Sequence, residues 1–404
     1  MFTKTHIAQV VDSQHERLGM VSPGMPRPVS GYEKLTTHAF ILTGIRRCGK
    51  STILQQLYRE IGKPAIFLNF EDPRLAGFDL SDFNRLHEIA LERMVEAYFL
   101  DEIQLVPLWQ GFVRFRLDES YRIFITGSNA SLLSDDLGIK LTGRHIGKIL
   151  FPFSYNEFLS FTGEPAGEAS VRNYLTQGGF PEFLKTGSAD VLMQIFNDIV
   201  ARDVALRHGI RNTGTLRQLA VWLASHVAKT FTANSVRKLF QIASASSVME
   251  YLTYFEDAYL FFFLQKFSYS EKVRQVNPRK VYCVDNGLVY HNSLSFSDDW
   301  GRLLENQVYL HLRHTSDEIY YFSESHECDF VVFNHRKSPM AIQVCWKVTP
   351  ENMTREMDGL RDAMEFFDLT EGTIVTLDQR DLFEKDGKTI HLVPFLEFSR
   401  LPVG

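Results

Sequence analysis

A parallel α/β sheet covered by helices and built to hold phosphate is the fold predicted for residues 37–154, and three observations predict it. Apolar, β-rich runs at 39–43, 65–70, 96–101, 121–127 and 146–151 alternate with helical patterns, the order that produces parallel strands. The first run leads directly into Gly44-Ile-Arg-Arg-Cys-Gly-Lys-Ser51, a complete G-x-x-x-x-G-K-[ST] phosphate-binding loop. The third run ends in Asp101-Glu102, two carboxylates at the strand end where a parallel sheet places its ligands.

Residues 5–18 carry one amphipathic helical pattern. The prolines and glycine of Val21-Ser-Pro-Gly-Met-Pro-Arg-Pro28 stop it, so residues 1–36 read as a helix and an extended linker. In the loop, Gly44 and Gly49 let the backbone curl until successive N–H groups point at phosphate oxygens. Lys50 then reaches the β and γ phosphates and the Ser51 hydroxyl ligates Mg²⁺. Arg47, Cys48 and Thr52 complete the segment expected to wrap ATP, and a helix opening at Lys50 aims its positive end at the same anion. Because Cys48 lies inside the loop, alkylation of its thiol is expected to block the phosphate pocket.

Asn69 closes the second strand. A polar residue there either holds the catalytic glutamate idle until a ligand releases it or simply caps the Glu71-Asp72-Pro73 turn. Asp101 is expected to hold the water shell of Mg²⁺, and Glu102 to polarise the attacking water. The fourth run ends in Thr126-Gly-Ser-Asn129, where Ser128 and Asn129 are candidates to hydrogen-bond the γ-phosphate or that water; a plain turn is the alternative.

After Phe151-Pro-Phe153 the patterning changes. Helical periodicity at 155–161, 168–176 and 189–207, interrupted by Gly178-Gly-Phe-Pro181, reads as a helical lid over 155–212. Helices near 215–228, 232–240 and 246–256, then a hairpin of 258–267 with 279–284, give a winged-helix layout over 213–292. Residues 293–404 return to α/β patterning, with strands expected at 319–323, 328–333, 340–346 and 372–377.

A length of 404 residues implies several domains. The four cysteines, Cys48, Cys283, Cys328 and Cys345, lie far apart with no C-x-x-C pair, which indicates neither a disulfide framework nor a zinc site. No apolar run approaches the roughly 20 residues of a membrane span. The N-terminus lacks a signal-peptide layout, so no membrane partner is expected and the cytoplasm is the expected location. A net charge of −6 argues against blanket affinity for nucleic acid.

Taken together, Gly44-Ile-Arg-Arg-Cys-Gly-Lys-Ser51, Phe67-Leu-Asn-Phe-Glu-Asp-Pro-Arg-Leu75, Phe99-Leu-Asp-Glu-Ile-Gln104, Thr126-Gly-Ser128, Thr142-Gly-Arg144 and Gly178-Gly-Phe-Pro-Glu182 resemble a large prokaryotic family of AAA-type ATPases. Those proteins carry a C-terminal domain of unknown function related to the restriction-endonuclease-like, PD-(D/E)xK, fold. The resemblance implies a P-loop NTPase core of the AAA+ type, a winged-helix middle and a nuclease-like end. In AAA+ ATPases an arginine at the position of Arg144 projects into the neighbouring subunit's site, where it neutralises charge on the transferred phosphoryl. That role makes the working form a homo-oligomer; an arginine paired within its own subunit is the alternative.

The nuclease-like family carries a helix glutamate, a strand aspartate and an [EQ]-x-K pair that hold Mg²⁺ beside the scissile phosphate. The matching positions are Glu305, Asp329 and Gln343, but Cys345 stands where the lysine belongs. A thiol cannot replace the ammonium that orients the attacking water, so a degenerate pocket is expected. Strand alternation places Gln343, Cys345 and Lys347 on one face, so Lys347 is the candidate to reach back.

The third winged-helix helix carries three acids and no base, which argues against base reading. Lys266, Lys272, Arg274, Arg279 and Lys280 are the candidates to follow a DNA backbone, with a solvated basic hairpin as the competing reading. The expected function is Mg²⁺-dependent ATP binding and hydrolysis by an oligomer acting on DNA or a DNA-bound partner. The alternative is a nucleotide-gated regulatory or interaction ATPase with no DNA substrate, whose degenerate nuclease-fold domain docks a protein partner.

Overall fold

The computed structural model describes the chain except residues 28, 33–34, 63, 134–140, 142, 295–298, 317, 335–336 and 401–404. It forms two units, Met1–Phe151 with Asp257–Tyr259, and Pro152–Glu256 with Leu260–Gly404.

The first unit runs α1 (Lys4–Met20), β1 (Ala39–Thr43), α2 (Lys50–Glu60), β2 (Ala65–Asn69), α3 (Leu80–Glu92), β3 (Ala97–Asp101), α4 (Trp109–Asp118), β4 (Arg122–Gly127) and β5 (His145–Ile149). Its strands pair in parallel in the order β2-β3-β4-β1-β5. Because β1 lies between β4 and β5, the loop that follows it opens within the sheet's carboxyl edge, beside the ends of β3 and β4. β1 and β3 are buried along their whole length, which is why they read as unbroken apolar runs.

Strand alternation then sorts the side chains. Ile66, Leu68, Tyr98, Leu100, Ile123 and Ile125 join one core with residues of α1, α3 and α4. Phe67, Phe99 and Phe124 take the other face, where Phe99 stacks on Phe124 at 4.5 Å and Tyr58 of α2 meets Phe67 and Phe99 edge-on. The N-terminal helix is part of this unit's core through Ile7, Val10 and Val11.

The second unit begins with α5 (Tyr155–Thr162), α6 (Glu168–Gln177), α7 (Pro181–Thr186) and α8 (Ala189–Asp198), which continues through a π-helical stretch, Ile199–Leu206. Then come α9 (Thr213–Ser225), β6 (Thr230–Phe231), α10 (Ala233–Phe240), α11 (Ala245–Asp257), β7 (Phe261–Gln265), α12 (Glu271–Val276) and β8 (Arg279–Cys283). The three strands form an antiparallel sheet in the order β6-β8-β7, and the short helix α12 lies within the β7–β8 connection.

After α13 (Asn286–Asn292), the chain forms α14 (Trp300–Arg313), β9 (Ile319–Ser323), β10 (Glu327–Asn334), β11 (Lys337–Val344), α15 (Met353–Phe366), β12 (Glu371–Thr376), β13 (Asp381–Lys385), β14 (Lys388–Pro394) and α16 (Phe395–Phe398). These strands make one sheet, β13-β14-β12-β11-β10-β9. The β9-β10-β11 meander is antiparallel, and β12 runs parallel to β11. The β13–β14 hairpin was not among the expected strands. Its turn is Asp386-Gly387, both residues in the left-handed region (φ 55° and 74°), the sequence pair that such a turn favours.

Gly178-Gly179 joins α6 to α7 with no room to spare. Gly178 has φ 70°, and a Cβ there would lie 2.2 Å from Asp285 Oδ1. At Gly179 a Cβ would lie 2.1 Å from the Phe153 carbonyl oxygen, and the Gly179 N–H donates to Asp285 Oδ2 at 2.6 Å. Backbone rather than a flexible side chain blocks the position. Gly179→Ala is therefore expected to lower stability by about 2–3 kcal/mol, the scale of overpacking in a closed interior, measured by denaturant unfolding.

Candidate functional site

The loop between β1 and α2 is shaped by its glycines. Gly44 has φ +143°, and a Cβ there would lie 2.1 Å from the Leu150 carbonyl oxygen; Gly49, with φ +106°, caps the N-terminus of α2. Arg47 is also in the left-handed region at φ 65°, an uncommon conformation for a residue with a side chain. Thr52 lies in the first turn of α2. Lys50 is buried, and its ammonium donates to the carbonyl oxygens of Gly44 and Ile45, both at 2.9 Å, so it sits within the curl of its own loop. Arg27, from the linker, donates to the Cys48 carbonyl and to the Phe151 carbonyl, each at 3.1 Å.

Cys48 corrects one expectation. Its thiol is fully buried and donates to the Leu150 carbonyl at 3.3 Å, and burial pushes its pKa up. It contributes backbone to the loop while its sulfur is shielded, so alkylation is not a ready way to block the pocket.

Asp101 is the centre of the arrangement. Its Oδ1 accepts from the Ser51 hydroxyl at 3.0 Å and from the Thr126 hydroxyl, and that same Thr126 oxygen accepts the Glu102 N–H at 3.1 Å. The other oxygen, Oδ2, is buried with no hydrogen-bond partner among the described residues, as is Ser128 Oγ. Burial, then the adjacent Glu102 carboxylate, push the Asp101 carboxyl up to about 6. Partnerless buried oxygens beside a glycine loop fit the polar ligand shell of a bound Mg²⁺-nucleotide, because each such atom otherwise costs free energy. Asn129 is buried next to Ser128.

Glu102 is strained, with φ 54°, and its carboxylate meets two groups. Gln104 Nε2 donates to Oε2, and Lys50 Nζ lies 4.0 Å from Oε1.

Asn69, the candidate to hold Glu102 idle, does something else. Its Oδ1 accepts the Glu71 N–H at 2.7 Å, capping the turn, while Gln14 of α1 clamps its backbone N–H and carbonyl at 2.7 and 3.2 Å. Arg144 is not brought to the loop of its own chain. It precedes β5, at the amino edge of the sheet, and pairs with Asp118 at 2.8 Å. Thr142 and residues 134–140, which lead into Arg144, lie outside the described residues.

In the second unit, Glu305 on α14, Asp329 on β10 and Gln343 on β11 do come together, but around Lys280. This lysine, one of the candidates to follow a DNA backbone, is 1% exposed. Its ammonium touches Glu305 Oε1 at 3.1 Å, Glu327 Oε1 at 2.8 Å and Asp329 Oδ1 at 2.8 Å. Burial alone would discharge it, yet the fields of Asp329 and Glu305 outweigh that penalty and hold its pKa well above the ordinary lysine value. Burial, then Asp329, push the Glu305 carboxyl upward. Tyr282 donates to Glu305 Oε1 at 2.8 Å and the Val344 N–H to Asp329 Oδ2 at 2.9 Å; Gln343 accepts the Asp329 N–H at 3.1 Å and donates to Glu356 at 2.9 Å.

Lys347, expected to reach back into this pocket, is exposed. The reason is local: β11 ends at Val344, so strand alternation does not carry on to residue 347. The basic hairpin is also largely engaged internally. Lys266 pairs with Glu324 at 3.1 Å and Arg274 donates to the Tyr320 hydroxyl at 3.1 Å, while Arg279 is half-buried and Lys272 exposed.

Sequence reasoning missed Thr126, Gln104, Arg27 and Lys280 in these roles. Thr126 sits two residues before Ser128 and Gln104 two after Glu102, spacings that offered a signal. Lys280 and Tyr282, alternating on β8, both reach Glu305, but nothing in the sequence tied β8 to α14.

Residues 36–159 match the AAA domain family (AAA_14), and residues 168–299 match a domain of unknown function (DUF8612), which lies ahead of the α14–β14 region rather than over it. Together with the parallel sheet and glycine loop, the first of these matches supports a P-loop domain of the AAA type. An uncharacterized protein of Methanocaldococcus jannaschii, MJ1544, is 34% identical over 391 residues, covering 89% of this chain and 87% of its own length. An uncharacterized protein of Haemophilus influenzae is 30% identical over 345 residues, covering 79% and 85%. The chain belongs to the family that these two proteins represent. Among solved structures, Cdc6p of Pyrobaculum aerophilum is 15% identical with a TM-score of 0.27 over 66% of this chain and 89% of that one, a likeness too slight to bear on function.

Removing the Lys280 ammonium would leave its carboxylates buried without their counter-ion. Lys280→Met is expected to destabilise the protein by about 3–5 kcal/mol in urea unfolding. Adding Glu305→Gln and Asp329→Asn is expected to recover part of that loss, because the uncompensated charge is then gone.

Proposed function

We propose that this protein binds ATP with Mg²⁺ at the loop after β1 and hydrolyses it. The observation that carries the reading is Asp101, whose one oxygen ties α2 to β4 through Ser51 and Thr126 while the other is buried without a partner among the described residues. Ser51 and Asp101 would hold Mg²⁺, which when bound offsets the charge of the phosphates. Lys50 exchanges the carbonyls of Gly44 and Ile45 for phosphate oxygens, and the N–H groups of the loop and of the first turn of α2 face the same anion. The Ser128 hydroxyl donates to the γ-phosphate or to the attacking water, and Glu102 accepts that water's proton.

Arg144 fits a role across a subunit boundary. Its pairing with Asp118 is partly exposed, and exposed ion pairs contribute roughly 0–1 kcal/mol, so the guanidinium is readily released to a neighbouring subunit's nucleotide. This reading makes the working form a homo-oligomer.

For the second unit, α14, the β9-β10-β11 meander, α15 and a parallel β12, with Glu305, Asp329 and Gln343 gathered on them, support the nuclease-like reading. The three helices and β7–β8 hairpin over 213–283 likewise support a winged helix. The seating of Lys280 among the carboxylates supports a degenerate pocket, and the internal engagement of Lys266, Arg274 and Lys280 favours the nucleotide-gated interaction ATPase over a DNA-acting machine.

Lys50→Ala is expected to abolish ATP binding. Glu102→Gln is expected to keep ATP affinity within about threefold while turnover falls at least about 100-fold, measured by nucleotide titration and phosphate release. Wild-type turnover in Glu102→Gln would overturn the hydrolysis reading. Duplex DNA is expected to leave turnover unchanged; stimulation that fades with rising salt would restore the DNA reading.

A further inference from the structure

We propose that Gln104 is the positioning residue that holds Glu102 idle between turnovers, so that hydrolysis is gated by a side chain two residues from the base it restrains. This rests on the hydrolysis reading above and goes beyond it by assigning the gate.

Three features of the first unit carry it. The Gln104 amide donates to Glu102 Oε2, and it is the one described side chain that gives Glu102 a hydrogen bond, since Asn69 is engaged with the Glu71 N–H and Lys50 with its own loop. The turn that presents it, Ile103–Leu105, is anchored by fully buried Ile103 and followed by buried Val106, so Gln104 cannot drift from the site. The space for its amide exists because residue 127 is glycine; a Cβ there would lie 2.4 Å from Gln104 Oε1.

The other end of the same amide shows why the hold is reversible. Gln104 Oε1 is buried without a hydrogen-bond partner among the described residues. The gain from one bond to a carboxylate and the cost of one unsatisfied buried carbonyl are of the same order, which leaves the clamp near balance. A water that enters to donate to Glu102 Oε2 takes the place of the amide, and Gln104, turning away, takes its Oε1 out of the unsatisfied position. Movement of Lys50 onto phosphate at the same time removes the cation that lies 4.0 Å from the other oxygen of Glu102. Ligand binding and release of the base are then one event.

The test is steady-state ATP hydrolysis by the full chain carrying Gln104→Ala or Gln104→Glu, with ATP affinity and thermal melting measured on the same preparations. Gln104→Glu keeps the size of the side chain but repels Glu102 instead of donating to it, so it reads the clamp even where Gln104→Ala folds poorly. Both variants are expected to raise kcat roughly five- to tenfold, the scale of one net hydrogen bond, with KM and ATP affinity within about twofold of wild type. Adding Glu102→Gln is expected to abolish turnover in either background. Variants with kcat at or below wild type, while Glu102→Gln alone is inactive, would overturn the clamp and leave the hydrolysis reading standing. Full activity of Glu102→Gln alone would remove the base itself, and the clamp with it.

Discussion

A carboxylate buried at the end of a parallel strand needs hydrogen-bond donors, and Asp101 finds them on two other elements. Ser51 brings the first turn of α2 to it and Thr126 brings the end of β4, so one group joins three segments that are far apart in sequence. The rest of the first unit follows from keeping that junction in place. The register of β3 on β4, the aromatic stack of Phe99 on Phe124 and the close approach of Gly44 to Leu150 all set the carboxyl edge of the sheet. The glycine loop then lies where Ser51 can reach the aspartate.

The two carboxylate clusters of this protein show what separates a ligand site from a structural one. At Asp101 the local donors satisfy one oxygen, and the other is without a partner among the described residues, as are Ser128 Oγ and Gln104 Oε1. At Asp329 both oxygens are taken, one by Lys280 and one by the Val344 N–H, and Glu305 accepts from both Lys280 and Tyr282. A buried ion cluster whose members all have partners holds a fold together, whereas one with open positions is incomplete without a ligand. The cation of this second cluster is Lys280 of β8, which lies against Glu305 and Asp329. In this setting the ammonium is too enclosed to serve a substrate.

Much of the first unit was legible in the sequence because β1 and β3 are buried along their whole length and the loop motif needs glycines at fixed places. Gly44, Lys50, Ser51, Asp101, Glu102 and Ser128 all lie at the ends of the strands or in the loop that their spacing implied. Roles set by side-chain rotamers were not legible. For Asn69 the sequence left two roles open, holding Glu102 idle or capping the turn after β2, and the Glu71 N–H two residues on decides between them by capturing its amide oxygen. In the second unit, alternation misled at Lys347 because β11 ends three residues earlier, and charge misled at Lys280 because nothing local reveals that β8 packs against α14. The β13–β14 hairpin was readable from Asp386-Gly387 and was overlooked.

In the proposed function Asp101 completes a site for Mg²⁺ and nucleotide rather than a closed structural junction. Calorimetric titration of ATP into wild type and Asp101→Asn, each with and without Mg²⁺, tests it most directly. Mg²⁺ is expected to tighten ATP binding to the wild type by at least about tenfold, a gain that disappears in Asp101→Asn, a difference of about 1.4 kcal/mol or more. An equal effect of Mg²⁺ on both proteins would contradict it.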